Sequence, residues 1–326
     1  MHIRQTVSEY CPPKPTFIEA DLPSLEGKTY LITGGAGGIG KELARMLYSA
    51  NATVYIAGRN LENIEKARTE ITQKPSEGLK FKPTSGKIIP LLLDLANLPT
   101  IKPAIQEFSK QVSRLDAVFL NAGVMIPPAG SKTHQGYELQ WGTNVVGHFV
   151  LQTLLTPLLL ASAQQIGEVR VVWVSSDGSM TSPSPDGITW NDINGDKTGL
   201  SAFKLYSQSK AGNIILATET ARRYTKDNII VASLNPGHLK TDLARHMGQS
   251  WLLGVVEATL LHDARYGALT ELFVGFSPTL TKENNGSYFI PWGRPGLMPE
   301  HIEKGLKNGS GTRLWEILEE ETAQYL

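Results

Sequence analysis

The sequence has almost no cysteine and no excess charge. Only one of its 326 residues is a cysteine, and 31 lysines and arginines balance 31 aspartates and glutamates. Because Cys11 cannot form an intrachain disulfide, we expect an intracellular, cytoplasmic protein. The chain has zero net charge and no run of five basic residues, so it lacks the excess positive charge that is typical of proteins binding nucleic acids or anionic membranes.

The sequence also lacks a long continuous apolar run. Residues 1–9 do not build the apolar core of a secretory signal. The best candidate for a membrane span, Leu139–Gly167, has no charged residue, but its apolar part, Phe149–Ala163, is shorter than the ~20 residues that a span requires. We therefore expect a buried helix and no membrane span.

No histidine pattern indicates a metal site. The histidines do not show the spacing of zinc ligands. We expect packing or surface roles, and no metal, for His134, His148, His238, His246 and His262.

What the sequence does contain is an alternation of short β-branched runs with longer amphipathic stretches. This pattern is typical of βαβ units. It predicts strands at Thr29–Thr33, Thr53–Ala57, Ile88–Leu93, Ala117–Leu120, Val169–Ser175, Ile229–Leu234 and Ser287–Ile290. The expected fold class is α/β: a single doubly wound Rossmann-type domain with about seven parallel strands and helices on both faces.

Proline and glycine refine this organisation. Pro90 cannot donate a ladder hydrogen bond, so the third strand should lie at an edge of the sheet, as it does in the order 3-2-1-4-5-6. Residues 1–26 are predicted to be an irregular extension and residues 74–87 a surface loop. The Rossmann-type domain should then cover residues 27–326.

A glycine loop joins the first strand to the first amphipathic helix. Gly34, Gly38 and Gly40 follow Thr29–Thr33 directly and lead into Lys41–Tyr48. Glycine lets the main chain approach a pyrophosphate, and the helix start supplies unpaired N–H groups. The strand, loop and helix together predict a dinucleotide site, with the spacing G-x-x-x-G-x-G.

Further motifs follow the loop in a characteristic order. They are Asp94 in Leu93-Asp94-Leu95, Asn121-Ala122-Gly123, Asn144 in Asn-Val-Val-Gly-His-Phe, Ser176 in Val174-Ser175-Ser176, Tyr206-x-x-x-Lys210, and Pro236-Gly237-x-x-x-Thr241. From residue 27 to at least residue 242 the chain resembles the short-chain dehydrogenase/reductase family. The resemblance implies an NAD(P)-dependent oxidoreductase acting on CH–OH groups, with catalytic Ser176, Tyr206, Lys210 and Asn144. It implies cofactor contacts at Gly34, Gly38, Ile39, Gly40, Asp94, Asn121, Lys210, Pro236 and Thr241.

Within that family, the sequence is similar to the retinol-dehydrogenase-like branch and to uncharacterised fungal members. The lead-in and the segment Ile290–Arg294 carry the fungal resemblance. About seventeen more residues separate Ser176 from Tyr206 than in compact members, which predicts an insertion at about 177–205. We expect a substrate lid at about 238–265 and carboxyl-terminal helices at about 299–326.

The Tyr-Lys pair suits carbonyl reduction. A phenol with a pKa near ~10 is a weak acid, and a neighbouring cation favours its ionised form. Four residues apart on a helix, Tyr206 and Lys210 share one face. Ser176 can donate a hydrogen bond to the substrate oxygen. In the family Asn144 holds a water that links the lysine to solvent, but a buried Asn bonded to backbone is equally compatible with the sequence.

The residue after the second strand bears on the cofactor. NAD enzymes place an acid there for the ribose 2′-hydroxyl, whereas NADP enzymes need a cation for the 2′-phosphate. The chain has Gly58 and Arg59 at this point and no acid. Arginine offers a planar fork suited to phosphate, so NADP(H) is the predicted cofactor.

The sequence therefore predicts NADPH-dependent reduction of a ketone or aldehyde, in a reversible reaction. Apolar residues Trp251–Val256 in the predicted lid indicate a bulky, lipophilic substrate, although a permanently buried helix there is the alternative. Two other functions stay open: a non-redox cyclisation or dehydration on the same scaffold, and a non-catalytic nucleotide-binding regulator. The protein could be a monomer or a homodimer.

Overall fold

The computed structural model describes residues 3–80, 83–240 and 261–326. Its strands are β1 Thr29–Thr33, β2 Thr53–Gly58, β3 Lys87–Leu92, β4 Ala117–Leu120, β5 Val169–Val174, β6 Ile229–Leu234, β7 Tyr288–Ile290 and β8 Arg294–Gly296. Its main helices are α1 Ile3–Tyr10, α2 Gly38–Ser49, α3 Leu61–Gln73, α4 Ile101–Gln111, α5 Leu139–Ile166, α6 Ala202–Tyr224, α7 Ala264–Phe276, α8 Glu300–Lys307 and α9 Ser310–Thr322.

The strands form one sheet in the order β3-β2-β1-β4-β5-β6-β7-β8. The predicted Rossmann-type architecture is confirmed, and β3 lies at the edge, where Pro90 faces Ile56 of β2 in the register. Among the described residues seven strands, β1 to β7, are parallel, as predicted, and an eighth, β8, turns back and pairs antiparallel with β7. Strand β8 consists of only three residues around Pro295, so it is too short to be recognised in the sequence from a repeating pattern.

Alternating side chains bury both faces of the sheet. On β5, Val171 and Trp173 join the core under α4, α5, α6 and α9, whereas Val172 and Val174 join the core under α2, α3 and α7. Strands buried on both faces read as continuous apolar runs, which explains the signal in the sequence. The two layers leave the carboxyl ends of the parallel strands free to form a crevice.

The uncharged helix α5 is a core element of this fold. By length and composition it is the one helix among the described residues that could cross a membrane, but 67% of its most apolar 18-residue window is buried inside the protein. The ring of Phe149 packs edge-on against Trp315 of α9, with centroids 5.0 Å apart. The prediction of a buried helix agrees with this packing.

The amino-terminal extension differs from the prediction. It is not wholly irregular, since residues Ile3–Tyr10 form α1. Gln5 exchanges two hydrogen bonds with the backbone of Leu297, at 2.9 and 2.8 Å, and Arg294 donates to the carbonyl of Ser8 at 2.9 Å. The helix is thus held by residues nearly 290 positions away, beside the carboxyl ends of the strands.

Candidate active site

The glycine loop turns tightly between β1 and α2. Gly34 and Gly38 have φ values of +69° and +50°, which favour glycine. A methyl group at Gly40 would lie 2.6 Å from Nδ2 of Asn121 and 2.8 Å from the Gly34 carbonyl oxygen. At Gly37 a methyl group would meet nothing within 4 Å. The inner side of the loop is therefore closely packed, and its outer side is open to a ligand.

Hydrogen bonds fix this loop to the end of β4. Asn121 Nδ2 donates to the Thr33 carbonyl at 2.8 Å, and the Ala122 N–H donates to Thr33 Oγ1 at 2.9 Å. That hydroxyl also lies 2.9 Å from Nε2 of His148. Burial lowers the pKa of His148 to about 3, so its ring is neutral near pH 7. His148 packs in the interior, as expected, and it also supports the loop, a role the sequence did not reveal.

A cavity of about 560 Å³ opens along the loop and the carboxyl ends of the neighbouring strands. Its walls include the predicted cofactor residues Gly34, Gly38, Ile39, Arg59, Asp94 and Asn121. Gly40 lies behind this wall, and Pro236 is buried at the end of β6. Thr241 falls outside the described residues. The cavity follows the crevice where α/β sheets bind nucleotides.

Basic side chains surround the end of the cavity beyond β2. Arg59 and Lys66 are exposed on its rim, and within the part of the chain that the structure describes neither has an acidic partner within 4 Å. Lys41 is instead paired with Glu70, at 2.9 Å. The rim thus offers two cations that remain available to an anion.

Ser176 follows β5 and begins a short turn. Its hydroxyl accepts a hydrogen bond from the Gly178 N–H at 3.1 Å and donates to Asp177 Oδ1 at 2.9 Å. A methyl group at Gly178 would lie only 3.1 Å from Cε1 of Tyr206. The turn that carries Ser176 and Asp177 therefore lies directly against the tyrosine ring.

Tyr206 and Lys210 lie one turn apart on α6, and both are buried. Lys210 Nζ is 5.8 Å from the centroid of the Tyr206 ring and donates to the Val174 carbonyl at 2.9 Å. Burial raises the pKa of Tyr206, a hydrogen bond with Ser176 lowers it, and Asp177 raises it. Burial lowers the pKa of Lys210 to about 8. The pair shares a face as predicted, but the ammonium group bonds to the backbone rather than to the phenol.

Lys210 also lies between the cavity and the other predicted catalytic residues. A methyl group at Gly123, which lines the cavity, would lie 3.5 Å from Lys210 Nζ and 3.3 Å from Asn144 Oδ1. The cavity therefore ends where Lys210 and Asn144 begin. The structure therefore places the predicted catalytic residues Lys210 and Asn144 directly behind the wall of the predicted cofactor cavity.

Asn144 lies in a π-helical segment of α5, Gly142–Gly147. Its side-chain oxygen accepts from the Val124 N–H at 2.9 Å, and its amide donates to the Val124 carbonyl at 3.1 Å and to Ser209 Oγ at 3.0 Å. Of the two roles left open by the sequence, these contacts favour the backbone-bonded one for the side chain. Asn144 joins the loop after β4 to α6.

The predicted insertion is folded onto α6. Gln208 accepts from the Thr189 N–H at 2.8 Å and donates to the Ile193 carbonyl at 2.7 Å. Asp192 accepts three backbone N–H bonds, at 2.6 to 3.0 Å, from residues 196–198. This segment is therefore tied to the helix that carries Tyr206. Most of the predicted lid, including Trp251–Val256, lies outside the described residues.

Glu271 is a buried acid that the sequence analysis missed. It is fully buried on α7, and neither carboxylate oxygen has a hydrogen-bond partner among the described residues. Burial raises the pKa of Glu271 to about 8, opposed by the positive charge of Lys210. A lone glutamate within the apolar run Gly267–Phe276 was the available signal.

The raised pKa of Glu271 predicts a pH-dependent effect of Glu271→Gln on stability. The folded protein keeps this proton up to about pH 8, whereas the unfolded chain loses it near its ordinary value of 4.5. The wild-type protein therefore loses stability between these pH values as pH rises, and the glutamine variant does not. We expect the variant to gain roughly 2 to 4 kcal/mol over the wild type between pH 5 and pH 8.

Thermal melts across this pH range measure the effect. Glu316→Gln, at an exposed position of α9, is the matched control and should show no such trend. A constant difference in melting temperature between wild type and Glu271→Gln at pH 5 and pH 8 would contradict the prediction.

Comparison with known proteins assigns the family. Residues 28–187 match the family model described as short chain dehydrogenase. A short-chain dehydrogenase/reductase of Armillaria gallica is 39% identical, covering 98% of both chains. An uncharacterized oxidoreductase of Schizosaccharomyces pombe is 35% identical, covering 91% of this chain and 86% of its own. The expected similarity to fungal proteins is confirmed.

Solved structures agree with this assignment. A protein from Mycobacterium paratuberculosis superposes with a TM-score of 0.71 at 28% identity, covering 94% of this chain and 97% of that one. At 20% identity, a 3-ketoacyl-(acyl-carrier-protein) reductase from Brucella melitensis complexed with NADH shows the same fold, with a TM-score of 0.62 and coverage of 83% and 99%. The chain belongs to the short-chain dehydrogenase/reductase family and is an oxidoreductase with the NAD(P)-binding fold of that family.

Proposed function

We propose that the protein uses NADPH to reduce a ketone or aldehyde to the alcohol, in a reversible reaction with Tyr206 as the general acid. The observation that carries this proposal is the close grouping of Ser176, Tyr206 and Lys210, with Lys210 Nζ beside Gly123 in the wall of the predicted dinucleotide cavity. A buried phenol beside a serine hydroxyl and an ammonium group can donate a proton to a carbonyl oxygen.

Each of these residues has a separate role in the proposed reduction. A bound nicotinamide supplies the hydride that forms the new C–H bond. Tyr206 gives up its O–H proton to the carbonyl oxygen, and the Ser176 hydroxyl stabilises the charge on that oxygen. Lys210, beside Gly123 of the cavity wall, is positioned to hold the nicotinamide ribose, and Asn144 fixes the loop that contains Gly123.

An exposed aromatic side chain supports a bulky, lipophilic substrate. Phe203 lies one turn before Tyr206 on α6, and it is 46% exposed. The two ring centroids are 6.5 Å apart. An apolar surface so close to the phenol favours an apolar group on the substrate next to its carbonyl.

The rim of the cavity fits NADP(H). The open side of the loop at Gly37 and the start of α2 suit a pyrophosphate, and Arg59 and Lys66 offer cations for a 2′-phosphate. We expect the native protein to prefer NADPH over NADH by at least about tenfold, or ~1.4 kcal/mol. Arg59→Ala should lose most of that preference by weakening NADPH binding alone.

Dissociation constants of both cofactors, measured for native protein and variant, check this result. Arg68→Ala is the matched control, because Arg68 lies on the exposed side of α3 and pairs with Glu65 at 2.8 Å. Equal affinity of the native protein for NADPH and NADH would refute the proposed cofactor choice.

The function is tested by incubating purified protein with NADPH and a panel of lipophilic ketones, aldehydes and quinones, followed by product analysis. Oxidation of NADPH in step with alcohol formation supports a reductase. Conversion of a substrate without NADPH consumption points to a non-redox step. NADPH binding without any conversion across the panel favours a nucleotide-binding regulator.

We propose a cytoplasmic protein that acts on a small molecule and has no nucleic-acid partner. Its oligomeric state is either monomer or homodimer, and the packing of α9 onto α5 and α6 favours the monomer. Trp315 of α9 contacts both Phe149 on α5 and Arg223 on α6, with the Arg223 guanidinium 4.4 Å from its ring. Light scattering of the purified protein measures the state directly.

A further inference from the structure

His148 lies between the end of β1 and Asn144. Its Nε2 atom is 2.9 Å from Oγ1 of Thr33, the last residue of β1. Its Nδ1 atom is 3.1 Å from the Asn144 carbonyl oxygen. All three residues are buried. The imidazole therefore joins the strand that leads into the glycine loop to the helix that carries a predicted catalytic residue.

The π-helical segment of α5 explains why a side chain makes the contact with Asn144. In a regular α-helix the N–H of residue 148 would donate to the carbonyl of residue 144. Here the His148 N–H donates to the Val145 carbonyl. The imidazole reaches the Asn144 carbonyl in its place. The position of Asn144 therefore depends on this ring as well as on the helix backbone.

The two contacts of the ring select one neutral tautomer. A carbonyl oxygen can only accept, so Nδ1 carries the proton and donates to the Asn144 carbonyl. Nε2 is then an acceptor for the Thr33 hydroxyl, whose other available acceptor, the Phe119 carbonyl, is farther away at 3.3 Å. Thr33 Oγ1 in turn accepts from the Ala122 N–H at 2.9 Å. The hydrogen bonds thus run in one direction, from Ala122 to Asn144.

The surroundings of the ring keep it neutral and fix its orientation. Burial lowers the pKa of His148 to about 3, with a further lowering by the charge of Lys210, against the hydrogen bond to Asn144. The ring packs edge-on against Trp173, with centroids 5.9 Å apart. The same tautomer is therefore expected throughout the neutral pH range.

From Asn144 the hydrogen bonds continue to α6. Asn144 Nδ2 donates to Ser209 Oγ at 3.0 Å, and Ser209 Oγ donates to the Tyr206 carbonyl at 2.7 Å. Ser209 is fully buried. Buried hydrogen bonds therefore extend from the end of β1 to the backbone of Tyr206, and His148 joins the two parts of this chain.

We propose that His148 is a positioning residue with two roles. Through Thr33 it holds the glycine loop in the form that binds the dinucleotide, and through Asn144 it holds the turn of α6 that carries Tyr206. The first role needs only the NAD(P)-binding fold. The second rests on the proposed function, because it requires that Tyr206 transfers a proton.

His148→Phe tests both roles. Phenylalanine keeps a flat ring against Trp173 but removes both hydrogen bonds. Because the Thr33 hydroxyl and the Asn144 carbonyl then lose a buried partner, we expect NADPH to bind about tenfold more weakly and kcat to fall by about tenfold. Dissociation constants for NADPH and steady-state rates with an active carbonyl measure the two effects.

His148→Gln separates the roles. Its side-chain oxygen can lie where Nε2 lies and accept from Thr33, but it has no donor at the position of Nδ1. NADPH affinity should stay within about threefold of the wild type, whereas kcat should fall as in His148→Phe. A loss of packing alone would not produce this division between affinity and turnover.

Variants of Thr33 test the first role if His148→Phe does not fold. Thr33→Val removes the hydroxyl and should weaken NADPH binding by about tenfold, whereas Thr33→Ser keeps the hydroxyl and should retain the affinity. His301→Phe is the matched control. His301 of α8 makes a similar contact, 2.7 Å from Ser182 Oγ, away from the cavity wall.

Nuclear magnetic resonance reports the tautomer without turnover. In protein labelled with ¹⁵N at histidine, the His148 signals, assigned with His148→Phe, should show a protonated Nδ1 and an unprotonated Nε2 from about pH 6 to about pH 9. Free histidine favours the opposite neutral tautomer. Thr33→Val should shift the Nε2 signal and leave the proton on Nδ1.

The outcomes separate this inference from the proposed function. Weaker NADPH binding by His148→Phe that is restored in His148→Gln, together with no conversion of any carbonyl, supports the role toward the cofactor and rejects the reductase. Wild-type NADPH affinity in His148→Phe, or a proton on Nε2 of the native ring, overturns the inference even if the protein proves to be a reductase. In an active reductase, an unchanged kcat in His148→Gln overturns the second role.

Discussion

Tyr206→Phe is expected to lower turnover by at least about a thousandfold while leaving cofactor affinity almost unchanged. The ring is buried and packs against the Gly178 turn, so phenylalanine fills the same space. Only the transferable proton is lost. The proton donor is required in the transition state and not for binding the dinucleotide, so the effect should fall on kcat rather than on the NADPH dissociation constant.

Single-turnover and steady-state rates with an active carbonyl from the panel, and fluorescence titration with NADPH, measure the two quantities. Tyr224→Phe is the control, since Tyr224 lies on the same helix but packs toward Trp315, with ring centroids 6.5 Å apart. If Tyr206→Phe keeps most of its activity, another acid performs the step, and Ser176 is the first to examine.

Lys210→Ala should damage both turnover and cofactor binding. The ammonium group lies beside the cavity wall at Gly123 and bonds to the Val174 carbonyl. Its loss removes a charge from the end of the cavity at Gly123 and opens space under the phenol. We expect kcat/KM to fall by about a thousandfold or more and NADPH to bind at least about tenfold more weakly.

The pH dependence gives a second check on Lys210. Burial lowers its pKa to about 8, so the ammonium form is lost as pH rises through that value. Reduction by the wild type should therefore decline above about pH 8. Lys226→Ala, on the exposed turn after α6, should keep wild-type rates and affinity. NADPH affinity unchanged by Lys210→Ala would contradict a role for this lysine in holding the cofactor.

Much of the fold could be predicted because its signals are local. Gly34, Gly38 and Gly40 stand between a β-branched run and an amphipathic helix, which suffices to predict the turn. Pro90 placed β3 at the edge because a proline lacks the N–H that a central strand needs. The spacing of Tyr206 and Lys210 on one helix put both on the same face.

Other features depend on contacts that no local pattern encodes. The amino-terminal residues form a helix because Leu297 and Arg294 hold it, far away in the sequence. The backbone contacts of Asn144 depend on the position of Val124. The pKa of Glu271 is raised because the surrounding structure buries its side chain. A single acid among apolar residues in the sequence does not reveal that burial.

The hydrogen bonds between β8 and α1 also constrain the order in which the chain can fold. The hydrogen bond between Arg294 and Ser8 joins residues 286 positions apart. At about 5 to 20 residues per second of synthesis, the amino-terminal helix emerges roughly 15 to 60 s before its binding surface exists. Contacts at such a sequence separation also form slowly for entropic reasons. Helix α1 therefore leaves the ribosome long before it can dock, and the end of the crevice beside α1 is completed only when β8 is in place.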